Sequence, residues 1–199
     1  MTKNKEKSRK LPFLTLKMRQ GKPFCRIFAR MKRIILITGG QRSGKSAYAE
    51  SLALKLTDRP VYLATAHVWD EEFRQRILRH QQRRGPQWTN IEEEKHLSRH
   101  NVTGRVVVID CITLWCTNFY SSAPNNTDET LEKLKAEFDR FTSYEATFIF
   151  VTNEIGSGGV STNAVQRQFT DLQGWMNQYV AQKADEVILM VSGIAVKIK

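Results

Sequence analysis

The 199-residue sequence predicts an α/β fold of three layers, a mostly parallel central sheet flanked by helices. Short apolar runs, of which Val106-Val107-Val108-Ile109 is the clearest, are continuous rather than alternating, as strands covered on both faces require. Longer stretches of helical period lie between them. Ser192-Gly193, between two β-branched runs, adds a turn into a C-terminal β-hairpin.

Taken in order, strands are expected at 33–38, 61–64, 105–110, 147–151, 186–191 and 195–198. Helices are expected at 45–56, 70–84, 128–141 and 163–183, and SSAPNNT at 121–127 reads as a loop. No internal repeat or low-complexity block interrupts the alternation. The length suits one sizeable core, so 31–199 reads as a single domain.

Composition excludes several classes of function. Hydrophobic residues at 41% and charged residues at 26% are ordinary for a globular protein, and no apolar run approaches the ~18 to 20 residues that span a bilayer. No membrane insertion is expected. The net charge of +11 suggests nucleic acid until it is located along the chain. Residues 1–30 hold ten Lys or Arg and one acid, whereas 31–199 hold 21 basic and 19 acidic residues, a net of +2. Basicity is therefore a property of the N-terminal extension, and no nucleic-acid partner is expected. A disordered basic arm, a transit peptide and translation upstream of a start at Met31 compete as readings of residues 1–30. The last is preferred because Met31-Lys32-Arg33 leads straight into the first core strand. Cys25, Cys111 and Cys116 form no C-x-x-C pair, which fits a reducing, cytoplasmic compartment, with Cys111 and Cys116 as small buried side chains.

The chemistry starts at GGQRSGKS: Gly39, Gly40, Gln41, Arg42, Ser43, Gly44, Lys45, Ser46. The spacing G-x-x-x-x-G-K-S between a strand and a helix is a phosphate-binding P-loop. Backbone N–H groups and the helix N-terminus would face the phosphates, Lys45 would reach the β- and γ-phosphates, and the Ser46 hydroxyl would ligate Mg²⁺. A strand-end acid helps hold such a metal, and Asp110 qualifies, although it could equally cap the segment that follows. Glu154 is a second strand-end carboxylate, expected at the same rim of the sheet.

The stretch DEEFRQRILRHQQRR opens with acids and closes with arginines, as a helix prefers. Phe73, Ile77, His80 and Arg84 fall at offsets that share one face. Nearby arginines disfavour the imidazolium and welcome phosphate, so His80 could act as a nucleophile toward an α-phosphate. A histidine on a half-exposed helix is ordinarily only a surface residue, and the same holds for His67, His96 and His100.

The assembled blocks go further. GGQRSGKS, YLATA, DEEFRQRILRHQQRR, WTNIE, DCITLWCTN, VTNEIGSGGV and ADEVILMVSGIAVKIK together resemble the bifunctional adenosylcobinamide kinase/adenosylcobinamide-phosphate guanylyltransferase family over 31–199. The resemblance implies a P-loop NTPase fold of the RecA-like kind and two reactions of cobalamin assembly. ATP or GTP phosphorylates the aminopropanol hydroxyl of adenosylcobinamide; GTP then gives its GMP to a histidine, and adenosylcobinamide phosphate takes it to form adenosylcobinamide-GDP. The resemblance places that histidine at His80. It also implies nucleotide contacts at Thr65, Ala66, His67, Arg84, Gly85, Pro86, Gln87, Glu92 and Asp110, and suggests a trimer. Phe73 stands where the family often has Met, and Ser161 where it often has Pro; neither removes a reactive group. Two other readings remain: a P-loop kinase of another small molecule without a covalent histidine, and a nucleotide-switched or nucleic-acid-binding module.

Overall fold

The computed structural model describes residues 32–68, 70–82, 84–122 and 126–199, without the side chains of Phe73, Arg76, Arg79, His80 and Gln81. The expectations for the extension 1–30, the start at Met31 and Cys25 lie outside the described residues.

The chain runs β1 (Arg33–Gly39), α1 (Lys45–Leu56), β2 (Val61–Ala64), α2 (Glu71–Gln82), β3 (Thr89–Glu92), β4 (Val106–Asp110), α3 (Ile112–Tyr120), α4 (Thr127–Phe141), β5 (Thr147–Val151), α5 (Ala164–Lys183), β6 (Glu186–Val191) and β7 (Ile194–Lys197). All seven strands form one sheet in the order β3-β2-β4-β5-β1-β6-β7. Pairing is parallel except between β6 and β7, the hairpin expected around Ser192-Gly193.

Alternate residues of each strand serve opposite faces. Ile34, Leu36, Val107, Ile109, Phe148 and Phe150 pack under α3, α4 and α5 with Trp115, Phe138 and Met176. Ile35, Ile37, Val106, Val108, Ile149 and Val151 pack under α1 with Ala49 and Ala53. The small alanines let α1 sit close over the centre of the sheet, directly after the phosphate loop. On the other face Phe138 meets Phe150 and Phe141 meets Phe148, each at 5.1 Å between ring centroids. Such pairs add about 0.5 to 1.5 kcal/mol each beyond the area they bury.

Helix starts follow local chemistry. The side chains of Asn126 and Asn163 accept from the N–H groups of Glu129 and Gln166, capping α4 and α5. Three expectations need correction. The helix expected at 70–84 is described over Glu71–Gln82, and Arg84 stands outside it, before Gly85-Pro86, where the ring of a proline disfavours helical backbone. Arg84 therefore does not extend the face shared by Phe73, Ile77 and His80. β3 and α3, neither of them expected from the sequence, complete the fold.

Candidate active site

Strand register gathers the site along one rim. Ala64 of β2 lies beside Glu92 and Asp110, Asp110 beside Val151, and Val151 beside Ile37, two residues before Gly39. The carboxyl ends of five parallel strands thus form a row, where open α/β sheets place their ligands.

The phosphate loop is built at the end of β1. Gly39 at φ +148° brings its backbone so near β6 that a Cβ there would stand 2.4 Å from the Met190 carbonyl oxygen. Gly44 at φ +95° turns the chain into α1, the left-handed conformation that glycine adopts without a Cβ clash. Lys45 is 6% exposed, and its ammonium donates to the Gly40 carbonyl at 2.6 Å beneath the loop. Ser43 is buried and Ser46 half-buried, while Gly40, Gln41 and Arg42 are exposed.

The C-terminal hairpin forms one wall. Gly193 N–H donates to the Ser43 carbonyl at 3.0 Å, and the Gly193 Cα lies 3.4 Å from where a Gly44 Cβ would be. Glu154 N–H donates to the Gly39 carbonyl at 3.0 Å, which brings that residue to the loop. Between them opens a cleft of about 370 Å³ lined by Gly39–Ser43, Glu154, Ser157 and 189–192.

Asp110 does not cap α3; the cap position is Cys111, which offers no side-chain bond. Instead one Asp110 oxygen accepts from the Tyr62 hydroxyl at 2.7 Å. Burial first, and then the Asp110 charge and hydrogen bond, push the Tyr62 phenol well above its ordinary value, so it stays a donor. β5 lies between β4 and β1, so roughly 10 Å of sheet separates Asp110's strand from the loop's strand.

The other expected residues divide by role. Thr65 is fully buried, its hydroxyl donating to the Cys111 carbonyl at 2.8 Å and accepting the Cys111 N–H at 2.9 Å. Its carbonyl accepts from Asn118 Nδ2 at 2.7 Å, so Thr65 braces the rim from behind. Ala66 and His67 follow it, and His67 Nδ1 lies 2.7 Å from Glu94 Oε1. Arg84 stacks on the Tyr62 ring with its guanidinium carbon 3.6 Å from the centroid, and its Nε donates to Asn90 Oδ1 at 2.8 Å. Gly85, Pro86 and Gln87 lead into the N-terminal end of β3, at the far end of that strand from Glu92. His80 stands in α2, and its side chain is not among those described. Cys111 and Cys116 are buried as expected; burial pushes the Cys111 thiol up to about 12, which makes it inert at neutral pH.

Sequence reasoning missed a polar lock behind Glu154. Thr113 Oγ1 accepts from Asn153 N–H at 3.0 Å and from Gln173 Nε2 at 2.8 Å. Gln173, 1% exposed, also donates to the Asn153 carbonyl at 2.6 Å. Thr113 lies in the quoted block DCITLWCTN, and a polar residue inside so apolar a run was the available signal.

Among the described residues no group of three or more His, Cys, Asp or Glu is placed to hold a metal ion, and no helix is long and apolar enough to cross a membrane. A Ser46 hydroxyl and the second Asp110 oxygen are hard donors that suit Mg²⁺, which usually takes its remaining ligands from water and phosphate.

The sequence model of the family described as cobinamide kinase / cobinamide phosphate guanyltransferase matches residues 35–198. The chain is 36% identical over 186 residues to the bifunctional adenosylcobalamin biosynthesis protein CobU of Salmonella typhimurium, covering 83% of this chain and 99% of that one. It is 34% identical over 169 residues to the bifunctional adenosylcobalamin biosynthesis protein CobP of Pseudomonas aeruginosa, covering 82% and 96%. Among solved structures, a prototypical ATPase from the type III secretion system of pathogenic bacteria superposes with a TM-score of 0.56 at 10% identity, covering 84% of this chain and 57% of that one. That likeness shows the fold alone, the three-layer α/β arrangement of RecA-like proteins with its mostly parallel sheet. A family match across nearly all of the described chain, with the phosphate loop built at the rim, means that this chain belongs to the cobinamide kinase / cobinamide phosphate guanyltransferase family.

Proposed function

We propose that this chain carries out both activities of its family in cobalamin biosynthesis, with one nucleotide site serving two attacks. In the first, the aminopropanol hydroxyl oxygen of adenosylcobinamide attacks the γ-phosphorus of ATP or GTP, and the nucleoside diphosphate leaves. In the second, a ring nitrogen of His80 attacks the α-phosphorus of GTP and pyrophosphate leaves. A phosphate oxygen of adenosylcobinamide phosphate then attacks the same phosphorus and releases His80. Two displacements through a covalent histidine replace one between two highly charged partners.

The observation that carries this reading is the buried Lys45 ammonium bonded to the Gly40 carbonyl of the phosphate loop, on the same rim as the row Asp110, Ala64 and Glu92. Lys45 and the start of α1 neutralise charge on the β- and γ-phosphates and on departing pyrophosphate. Ser46 and Asp110 are the residues to hold Mg²⁺, which when bound would draw charge from the phosphate oxygens. Ala66, His67, Arg84, Gly85, Pro86, Gln87 and Glu92 belong to the nucleotide contacts of the same reading, and a homotrimer belongs to its assembly.

Incubation with α-labelled and γ-labelled GTP tests the covalent step. Acid-labile, base-stable label from the α position should appear on the wild type and vanish in His80→Ala. Label that survives that substitution overturns the role of His80 and leaves a simple P-loop kinase.

A further inference from the structure

Tyr62 has no chemical role in the reactions above, yet it joins two separate parts of the site. Its side chain is 4% exposed; its hydroxyl donates to Asp110 Oδ2 at 2.7 Å, and Trp88 meets its ring edge-on at 6.0 Å between centroids. A ring held at its tip by a carboxylate and at its side by an indole presents one fixed face. On that face lies the Arg84 guanidinium, 3.6 Å from the centroid. Stacking uses the flat side of a guanidinium and leaves its N–H edges free for an acceptor. Nε of Arg84 donates to Asn90, but Nη1 is buried with no hydrogen-bond partner among the described residues. A buried guanidinium N–H without an acceptor is costly, and an anionic oxygen is the acceptor that suits it best.

We propose that Tyr62 is a positioning residue for nucleotide transfer: its ring presents Arg84 Nη1 to a phosphate oxygen of the bound nucleotide while its hydroxyl orients the Asp110 carboxylate. One side chain thereby sets the separation between a cation and an anion that stand on different segments. This deepens the reading of the rim as a nucleotide site and rests on it. The two functions of Tyr62 use different atoms, so they separate by mutation: Tyr62→Phe keeps the platform and loses the Asp110 bond, whereas Tyr62→Leu loses both.

The test is a pair of double-mutant cycles on the rate of α-label incorporation from GTP, with near-ultraviolet circular dichroism as the check on folding. Arg84→Ala and Tyr62→Leu should each raise KM for GTP about tenfold, and their combination should add no more than about twofold, since the platform and its load act as one unit. Tyr62→Phe should bring KM back to within about threefold of wild type while raising the Mg²⁺ concentration for half-maximal rate, and that increase should disappear in an Asp110→Asn background. Independent effects that multiply to about a hundredfold in Tyr62→Leu/Arg84→Ala overturn the proposal, as does a KM for Tyr62→Phe as high as that of Tyr62→Leu. If Tyr62→Leu does not fold, the cycle of Tyr62→Phe with Asp110→Asn decides the matter: additive effects on the Mg²⁺ requirement overturn it. Failure of the underlying nucleotide reading looks different, because Lys45→Ala would then leave GTP binding intact.

Discussion

Gly193 donates its backbone N–H to the carbonyl of Ser43, so the turn between the last two strands is bonded to the phosphate loop that follows the first. Proline and alanine at position 193 separate that bond from the turn's conformation. At φ +85°, alanine strains the backbone by about 1 kcal/mol but keeps the N–H; proline cannot adopt the angle and has no N–H to give. Gly193→Pro should raise KM for ATP in cobinamide phosphorylation several-fold more than Gly193→Ala does. Equal KM values for the two variants would show that the hairpin does not support the loop.

The same hairpin predicts a pH dependence of stability. Glu186 of β6 accepts from Arg33 and lies 3.1 Å from Lys197 of β7, and these two hydrogen-bonded cations hold its carboxyl below the usual 4.5. A carboxyl lowered in the folded state contributes stability above its unfolded value and loses it as pH falls through the folded one. Glu186→Gln should lower Tm at neutral pH by an amount worth about 1 kcal/mol or less, given partly exposed partners. The gap between the two proteins should narrow as pH falls below the usual 4.5 and close once pH has passed below the lowered folded value. Melting curves across that range check it, and a gap that persists in acid would assign the effect to packing.

Gln173 predicts a purely structural cost. Gln173→Leu removes the donor shared by Thr113 Oγ1 and the Asn153 carbonyl and leaves polar atoms buried without it. The loss should be about 1 to 3 kcal/mol, seen as a lower urea midpoint with an unchanged slope. A slope that changes as well would mean that the unfolded or native ensemble had shifted instead.

What the sequence discloses follows the reach of its signals. The helix Lys45–Leu56 and the strands Val61–Ala64, Thr147–Val151 and Glu186–Val191 lie where their periods place them, because each carries its own pattern and stop signals. α3 was missed because Ile112, Trp115, Cys116 and Tyr120 bury it on several sides, which erases the amphipathic period. β3 was missed because Thr89, Asn90 and Glu92 face solvent on an edge strand and look like loop. The phosphate loop is contiguous and was legible in full. The Tyr62–Asp110 bond spans 48 positions and the Gln173–Thr113 bond 60, and only the strand register brings such partners together.

The sheet order also has a kinetic side. β1, which delivers the chain to the phosphate loop, is paired on one flank by β5 and on the other by β6, and the bond from Ile34 N–H to Asp185 Oδ2 closes 151 positions. During synthesis the loop emerges early and waits for strands made long afterwards. Nucleotide affinity in this chain should therefore be a late reporter of folding, gained once β6 has docked. Free nucleotide should accordingly rescue mature but marginal variants by mass action, and do little for a chain still missing β5 or β6.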